Sequence, residues 1–177
     1  MADTRTITQI CTDTLDHPEL LAGCNLFVQS VLGSLGYGDL FTKGDDADAM
    51  VAAFAKAPFH LIGKNPGEAM KRAGEGKLVV AGMTKAAMSY VTKQGDKVQA
   101  SMGHVVIVLP GGPSKPGSVT LANGVVQPNR GGYPLSCGGA AMARYRIKSV
   151  LSIDVVFPSK VLNDVVYAYL DLPAAQR

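Results

Sequence analysis

The sequence predicts an α+β domain in which N-terminal helices lie against an antiparallel sheet. Apolar residues recur at helical spacing through the early part of the chain, β-branched runs broken by Gly and Pro fill the remainder, and helices precede strands instead of alternating with them. The 177 residues, 47% of them apolar, suit one domain spanning 1–177 around one core. No internal repeat or low-complexity tract interrupts it.

The first helix is expected from Thr4 to Leu15, with Ile7, Ile10, Cys11 and Leu15 on one face, Thr4 as N-cap and His17-Pro18 as the stop. Cys24, Phe27, Val28, Val31 and Leu35 mark the inner face of a second, which the glycines from Gly33 to Gly38 end. A third opens at Asp45-Asp46-Ala47-Asp48, where acidic side chains complement the helix dipole, and Pro58 ends it. A short helix starts at Asn65-Pro66.

Strands are then expected at Lys77 to Ala81 and Val98 to Leu109, with a loop or partly helical insertion from Met83 to Gln94 between them. Ser118 to Ala122 and Val125 to Gln127 flank Asn123-Gly124, a two-residue hairpin turn. Leu135-Ser136-Cys137-Gly138 follows the break at Gly131-Gly132-Tyr133-Pro134, and Val150 to Phe157 and Val165 to Leu172 read as two further strands.

Composition narrows function. A net charge of +3, no Trp and 6% aromatic residues exclude a nucleic-acid footprint. Mild basicity suits an anionic, carboxylate-rich polymer. The N-terminus lacks the pattern of a secretory signal and no run approaches a membrane span, so the chain is expected to be made in the cytoplasm without a signal peptide and not to insert into a membrane. Cys11, Cys24 and Cys137 are an odd number with no short spacing, which argues against a disulfide framework and against a zinc site; neither metal nor cofactor is expected. Cys11 is expected to face the core, with a disulfide to Cys137 as the alternative.

The chemistry centres on Cys24. A thiol in the first turn of a helix lies beside unpaired N–H groups and the positive end of the dipole, which favours thiolate and lowers a free pKa of about 8.5. The bland alternative is a small apolar core residue. Eighty residues later, Gly103-His104-Val105-Val106-Ile107-Val108-Leu109 reads as a buried strand presenting an imidazole at its start. A helix-start cysteine with a strand-start histidine is the pattern of thiol acyl transfer: imidazole takes the proton, thiolate attacks a carbonyl, and imidazolium protonates the departing amine. His60, in the apolar run Phe59-His60-Leu61-Ile62, is the weaker candidate base, and His17 is expected to be an exposed turn residue. The backbone N–H of Cys24 is expected to donate to the oxyanion.

Cys24-Asn25-Leu26-Phe27-Val28-Gln29-Ser30-Val31, Asp48-Ala49-Met50-Val51, Gly76-Lys77-Leu78-Val79-Val80-Ala81-Gly82, Gly103-His104-Val105 and Cys137-Gly138 stand in this order. In that order they resemble the type VI secretion amidase effectors, antibacterial peptidoglycan hydrolases of the NlpC-type, papain-like superfamily. The resemblance runs from about Leu20 to Leu172 and implies a single papain-like NlpC-type domain. It implies cleavage of the γ-D-glutamyl to meso-diaminopimelate bond of the peptidoglycan stem peptide.

The resemblance also implies export by the type VI apparatus to the periplasm of a target bacterium. A secretion tube component and a cognate immunity protein would then be partners. It puts Cys24 as nucleophile, His104 as base and Cys137 as the group that orients the imidazole, although a thiol is a weak acceptor and Asn123, Gln127 and Asn129 are chemically better ones. The chain departs from the family pattern at Gly23 and Asn25, which flank the cysteine, and in the long Gly111 to Arg130 span. A transamidase or deamidase toxin, a housekeeping or phage wall hydrolase, and a binding domain with buried thiols are the alternatives.

Overall fold

Helix α1 (Ile7–Leu15) begins at a capping box: Thr6 Oγ1 accepts the Gln9 N–H at 3.2 Å, and Gln9 Oε1 accepts the Thr6 N–H at 2.8 Å. The computed structural model describes residues 6–17, 19–20, 23–121, 124–139 and 150–172. Thr4, Pro18 and Asn123, given roles above, lie outside the described residues. Helix α2 (Cys24–Ser34) starts after Gly23, whose extended backbone supplies the N-cap geometry without a side-chain bond. In α3 (Ala47–Ala53), Asp46 accepts the Ala49 N–H at 2.9 Å, so one of the early acids is a cap. Helix α4 (Pro66–Gly74) is capped by Asn65 and carries proline in its first turn.

Six strands form one antiparallel sheet in the order β1-β10-β2-β5-β8-β9. They are β1 (His60–Gly63), β2 (Leu78–Met83), β5 (His104–Pro113), β8 (Pro134–Cys137), β9 (Leu151–Ser152) and β10 (Val166–Leu170). Two separate ribbons stand beside it, β3 (Tyr90–Val91) with β4 (Lys97–Val98) and β6 (Gly117–Thr120) with β7 (Val126–Asn129). Short helices α5 (Lys85–Met88) and α6 (Ile153–Val156) also belong to the mixed α+β fold of the described residues.

Strands β2 and β5 are covered on both faces, and alternation sorts their side chains into two cores. Val105, Ile107 and Leu109 join Leu78 and Val80 in a cluster with α1, α2 and α3, where Ile10, Phe27, Val31 and Met50 are buried. Val106 and Val108 join Val79, Ala81 and Met83 in a second cluster with Ala69 and Ala73 of α4 and with Ile153 and Phe157. Each large side chain buried here stabilises the fold by about 1.5–3 kcal/mol.

Three expectations need correction. The strand read as Val98 to Leu109 is two elements: Lys97–Val98 pairs with the ribbon strand β3, and β5 starts only at His104. Gly103 sets that start, because a Cβ there would fall 2.3 Å from Asp48 Oδ1 and 2.7 Å from the Met83 carbonyl. At its other end β5 runs on to Pro113 through a register shift after Val108, instead of stopping at Leu109. The third correction falls on Val150 to Phe157, where only Leu151–Ser152 is strand and Ile153–Val156 is helical. Its β-branched composition is overridden by tertiary contacts, since the helical turn carries Asp154 onto the Ser152 hydroxyl and the Arg130 N–H.

Candidate functional site

Cys24 is the first residue of α2, and only 3% of it is exposed. It belongs to the first cluster, with its sulfur at the backbone N–H of Val105, the residue that follows His104. Folding therefore carries the thiol to the start of β5. Burial raises its pKa, and the N–H groups of Val105, Asn25 and Cys24 itself only partly offset that rise. The expected net lowering at the helix terminus is thus reversed, because desolvation of a thiolate in an apolar core outweighs the dipole. Asn25, beside it, ties α2 to the following loop through its amide, which donates to the Asp45 carbonyl at 2.9 Å.

His104 is partly buried, with its ring edge-on to Phe157 of the second cluster at 5.4 Å between centroids. Burial lowers its pKa from 6.5 to about 4, so it is a neutral imidazole at pH 7. The side chains of Cys24 and His104 thus lie in different clusters on either side of the peptide that joins His104 to Val105. Among the described residues no hydrogen bond joins the thiol to the imidazole.

Cys137, expected to orient the imidazole, has another partner. It pairs in register with Ile107, is 1% exposed in the first cluster, and its sulfur lies 3.9 Å from the Cys11 carbonyl oxygen. A side-chain hydrogen bond with Cys137, together with burial, pushes the Cys11 thiol well above its usual pKa. Strand parity is the reason: Cys137 points to the face opposite the one where His104 meets Phe157. All three cysteines are free thiols.

Asn129 likewise spends its oxygen elsewhere, accepting the Gly131 N–H at 2.9 Å. Among the described residues, no side chain hydrogen-bonds the His104 ring. His60 sits on the edge strand β1, stacked on Tyr169 at 4.7 Å and 3.2 Å from Asp171. Strands β10 and β2 separate it from β5. His17 is exposed beside Glu19, as a turn residue would be.

His104 forms part of the wall of a cleft of ≈ 780 Å³ that opens on the second face of the sheet. Val106, Ser136 and Gly138 also line it. Gly139, another lining residue, packs against the residue before α2, since a Cβ there would meet the Gly23 carbonyl oxygen at 2.8 Å. A three-residue polar chain lies behind the far wall: Ser114 Oγ is 2.8 Å from Ser152 Oγ, Ser152 donates to Asp154, and Asp154 Oδ2 accepts the Arg130 N–H at 2.6 Å. These three residues are buried, and Asp154 and Arg130 are part of the cleft wall. None was singled out from the sequence. The available signal was one acid inside the apolar run Val150 to Phe157, since a carboxylate buried there needs donors.

Among the described residues no group of three or more His, Cys, Asp or Glu side chains is arranged to hold a metal ion, and no helix is long and apolar enough to cross a membrane. The fold and site define the class only as an α+β protein with a helix-start thiol brought to a histidine-bearing strand. Comparison with protein-family models and with curated proteins returns no match for this chain.

Proposed function

We propose that the protein is a cysteine amidase of papain-like, NlpC-type architecture that hydrolyses a peptide bond in the peptidoglycan stem, the γ-D-glutamyl to meso-diaminopimelate bond. The observation that carries the reading is the approach of the Cys24 sulfur, at the head of α2, to the backbone beside His104. The thiol lies at the N–H of Val105, whose neighbour in the chain is a histidine eighty positions from the cysteine.

The chemistry starts from neutral partners. Burial raises the thiol and lowers the imidazole, so the ground state is thiol and free base rather than an ion pair. The two side chains lie on opposite sides of the His104–Val105 peptide, so the reaction requires the His104 ring to swing toward the sulfur, where it accepts the thiol proton as the sulfur attacks the scissile carbonyl and then returns it to the departing amine. Water hydrolyses the thioester, releasing the carboxylate and restoring the thiol. The N–H groups of Cys24 and Val105 already face the sulfur, and such donors typically contribute a hundredfold or more in rate when they meet an oxyanion.

Export by a type VI apparatus into a neighbouring cell's periplasm, and neutralisation by an immunity protein, belong to the same proposal. The test is muropeptide release from purified peptidoglycan. Wild type is expected to release soluble products, and Cys24→Ala and His104→Ala to release none above background. Identical profiles for all three proteins would end the proposal. Iodoacetamide adds a second reading: Cys24 should react faster than the fully buried Cys11, and equal rates favour a structural thiol.

A further inference from the structure

Two of the three thiols have no part in the proposed acyl transfer, and folding puts them together. Cys11 lies on the inner face of α1 and Cys137 at the end of β8, 126 positions further along the chain. Neither has more than 1% of its surface exposed. The Cys137 sulfur is 3.9 Å from the Cys11 carbonyl oxygen, and a side-chain hydrogen bond joins the two thiols. Cys24 belongs to the same apolar cluster, but its sulfur faces the N–H groups of Val105, Asn25 and its own backbone.

A single buried cysteine is explained well enough as a small apolar side chain. Two thiols in contact are a different arrangement, because side chains that already point at one another meet a geometric requirement of a disulfide bridge. Strand parity supplies the meeting: Cys137 pairs with Ile107 and shares its face, the face that α1 covers.

We propose that Cys11 and Cys137 form a disulfide when the chain folds in an oxidising compartment, tying α1 to β8 and leaving Cys24 as the one unpaired thiol. The co-reactant is a small-molecule disulfide such as oxidised glutathione. One protein thiolate attacks it and releases a glutathione thiol, and the second protein thiolate then displaces the other glutathione from the mixed disulfide. Two protein thiols and one glutathione disulfide thus become one protein disulfide and two glutathione thiols. The pairing does not depend on the amidase reading, because it involves neither Cys24 nor His104.

Burial sets the timing. The hydrogen bond with Cys137 and desolvation hold the Cys11 thiol well above its usual pKa, so once folded it presents almost no thiolate to a reagent. The bridge therefore forms while the two segments are still closing on one another, and after closure it is sheltered from reduction. The redox state of the pair records the compartment in which the chain folded. A bridge across 126 positions also removes conformational freedom from the unfolded chain, which raises thermal stability.

The test uses the full-length protein, unfolded in urea and refolded in parallel in a glutathione redox buffer and in dithiothreitol, then denatured and alkylated with iodoacetamide. The dithiothreitol sample is expected to carry label on all three cysteines, and the glutathione sample on Cys24 alone, with a peptide joining Cys11 to Cys137 in its unreduced digest. The oxidised protein should melt about 5–10 °C above the reduced one. Cys24→Ala should keep that difference and Cys137→Ala should abolish it; the wild-type digest decides the pairing however well either variant folds. Label on all three cysteines after glutathione refolding, a bridge that includes Cys24, glutathione retained on Cys11 or Cys137, or equal melting of the two redox forms overturns the inference. Failure of the amidase reading shows separately, as wild-type protein that releases no muropeptide in either redox state.

Discussion

The two faces of the sheet do different work with the same strands. On one face, Val105, Ile107 and Leu109 of β5 meet Phe27, Val31 and the three buried thiols in a core closed by helices. On the other, Val106 and Val108 share their side with His104, Ser136 and the buried Ser114–Ser152–Asp154 chain, and that side opens into a cleft. The difference teaches where reactivity can arise. A thiol on the dry face is kept protonated by desolvation, and an imidazole on the open face is kept neutral by partial burial. In the proposed reaction each group acts only where the faces meet, at the start of β5.

The largest effect that sharpens this contrast is expected on the dry face. Phe27→Ala removes a side chain with no exposed surface and should lower stability by about 3–5 kcal/mol in urea unfolding. Val98→Ala, on the cleft rim and 39% exposed, should change it by less than about 1 kcal/mol. Comparable losses at the two sites would break the comparison.

Acid provides the next test. The folded-state pKa of His104 lies at about 4, below its unfolded value near 6.5, so between those values the unfolded chain binds the extra proton. Stability should therefore fall as pH drops from about 6.5 toward 4, by up to about 3 kcal/mol, and level off below that. His104→Gln should flatten that limb of the pH profile; an unchanged slope would place the titration elsewhere.

A smaller effect is expected where the faces join. Gly139→Ala sets a methyl against the backbone carbonyls of Gly23 and Leu20, which cannot rotate away. It should cost about 1–3 kcal/mol and, by shifting the head of α2, reduce the proposed muropeptide release by more than that loss of folded protein accounts for. The smallest is at the surface, where Arg72→Ala removes the i,i+4 pair with Glu68 at 2.8 Å and should leave the urea unfolding midpoint indistinguishable from that of the wild type.

Much of this was legible in the residues. The period of Cys24, Phe27, Val28 and Val31 placed the thiol in the first turn of a helix, and the β-branched run after Gly103 placed His104 at a strand start. Both signals are local, so no tertiary knowledge was needed to read them. Cys137 misled because its strand was correctly placed while its face was not: the side that a short strand turns to the core depends on register with Ile107. The Asp154 turn misled in the opposite way, since Val and Ile composition favours a strand until a buried carboxylate requires donors from two other segments.

By itself the sequence determined the α+β order of elements, the antiparallel sheet, and the chemical types at the two ends of the proposed reaction. Periodicity and capping are interactions among neighbours, written directly in the chain. Only the tertiary structure decided which face each group occupies, that Cys11 and Cys137 adjoin, that burial sets the direction of both pKa shifts, and that Arg130 stands over a bonded Asp154. Those depend on desolvation and register, which exist only once distant segments have closed on one another.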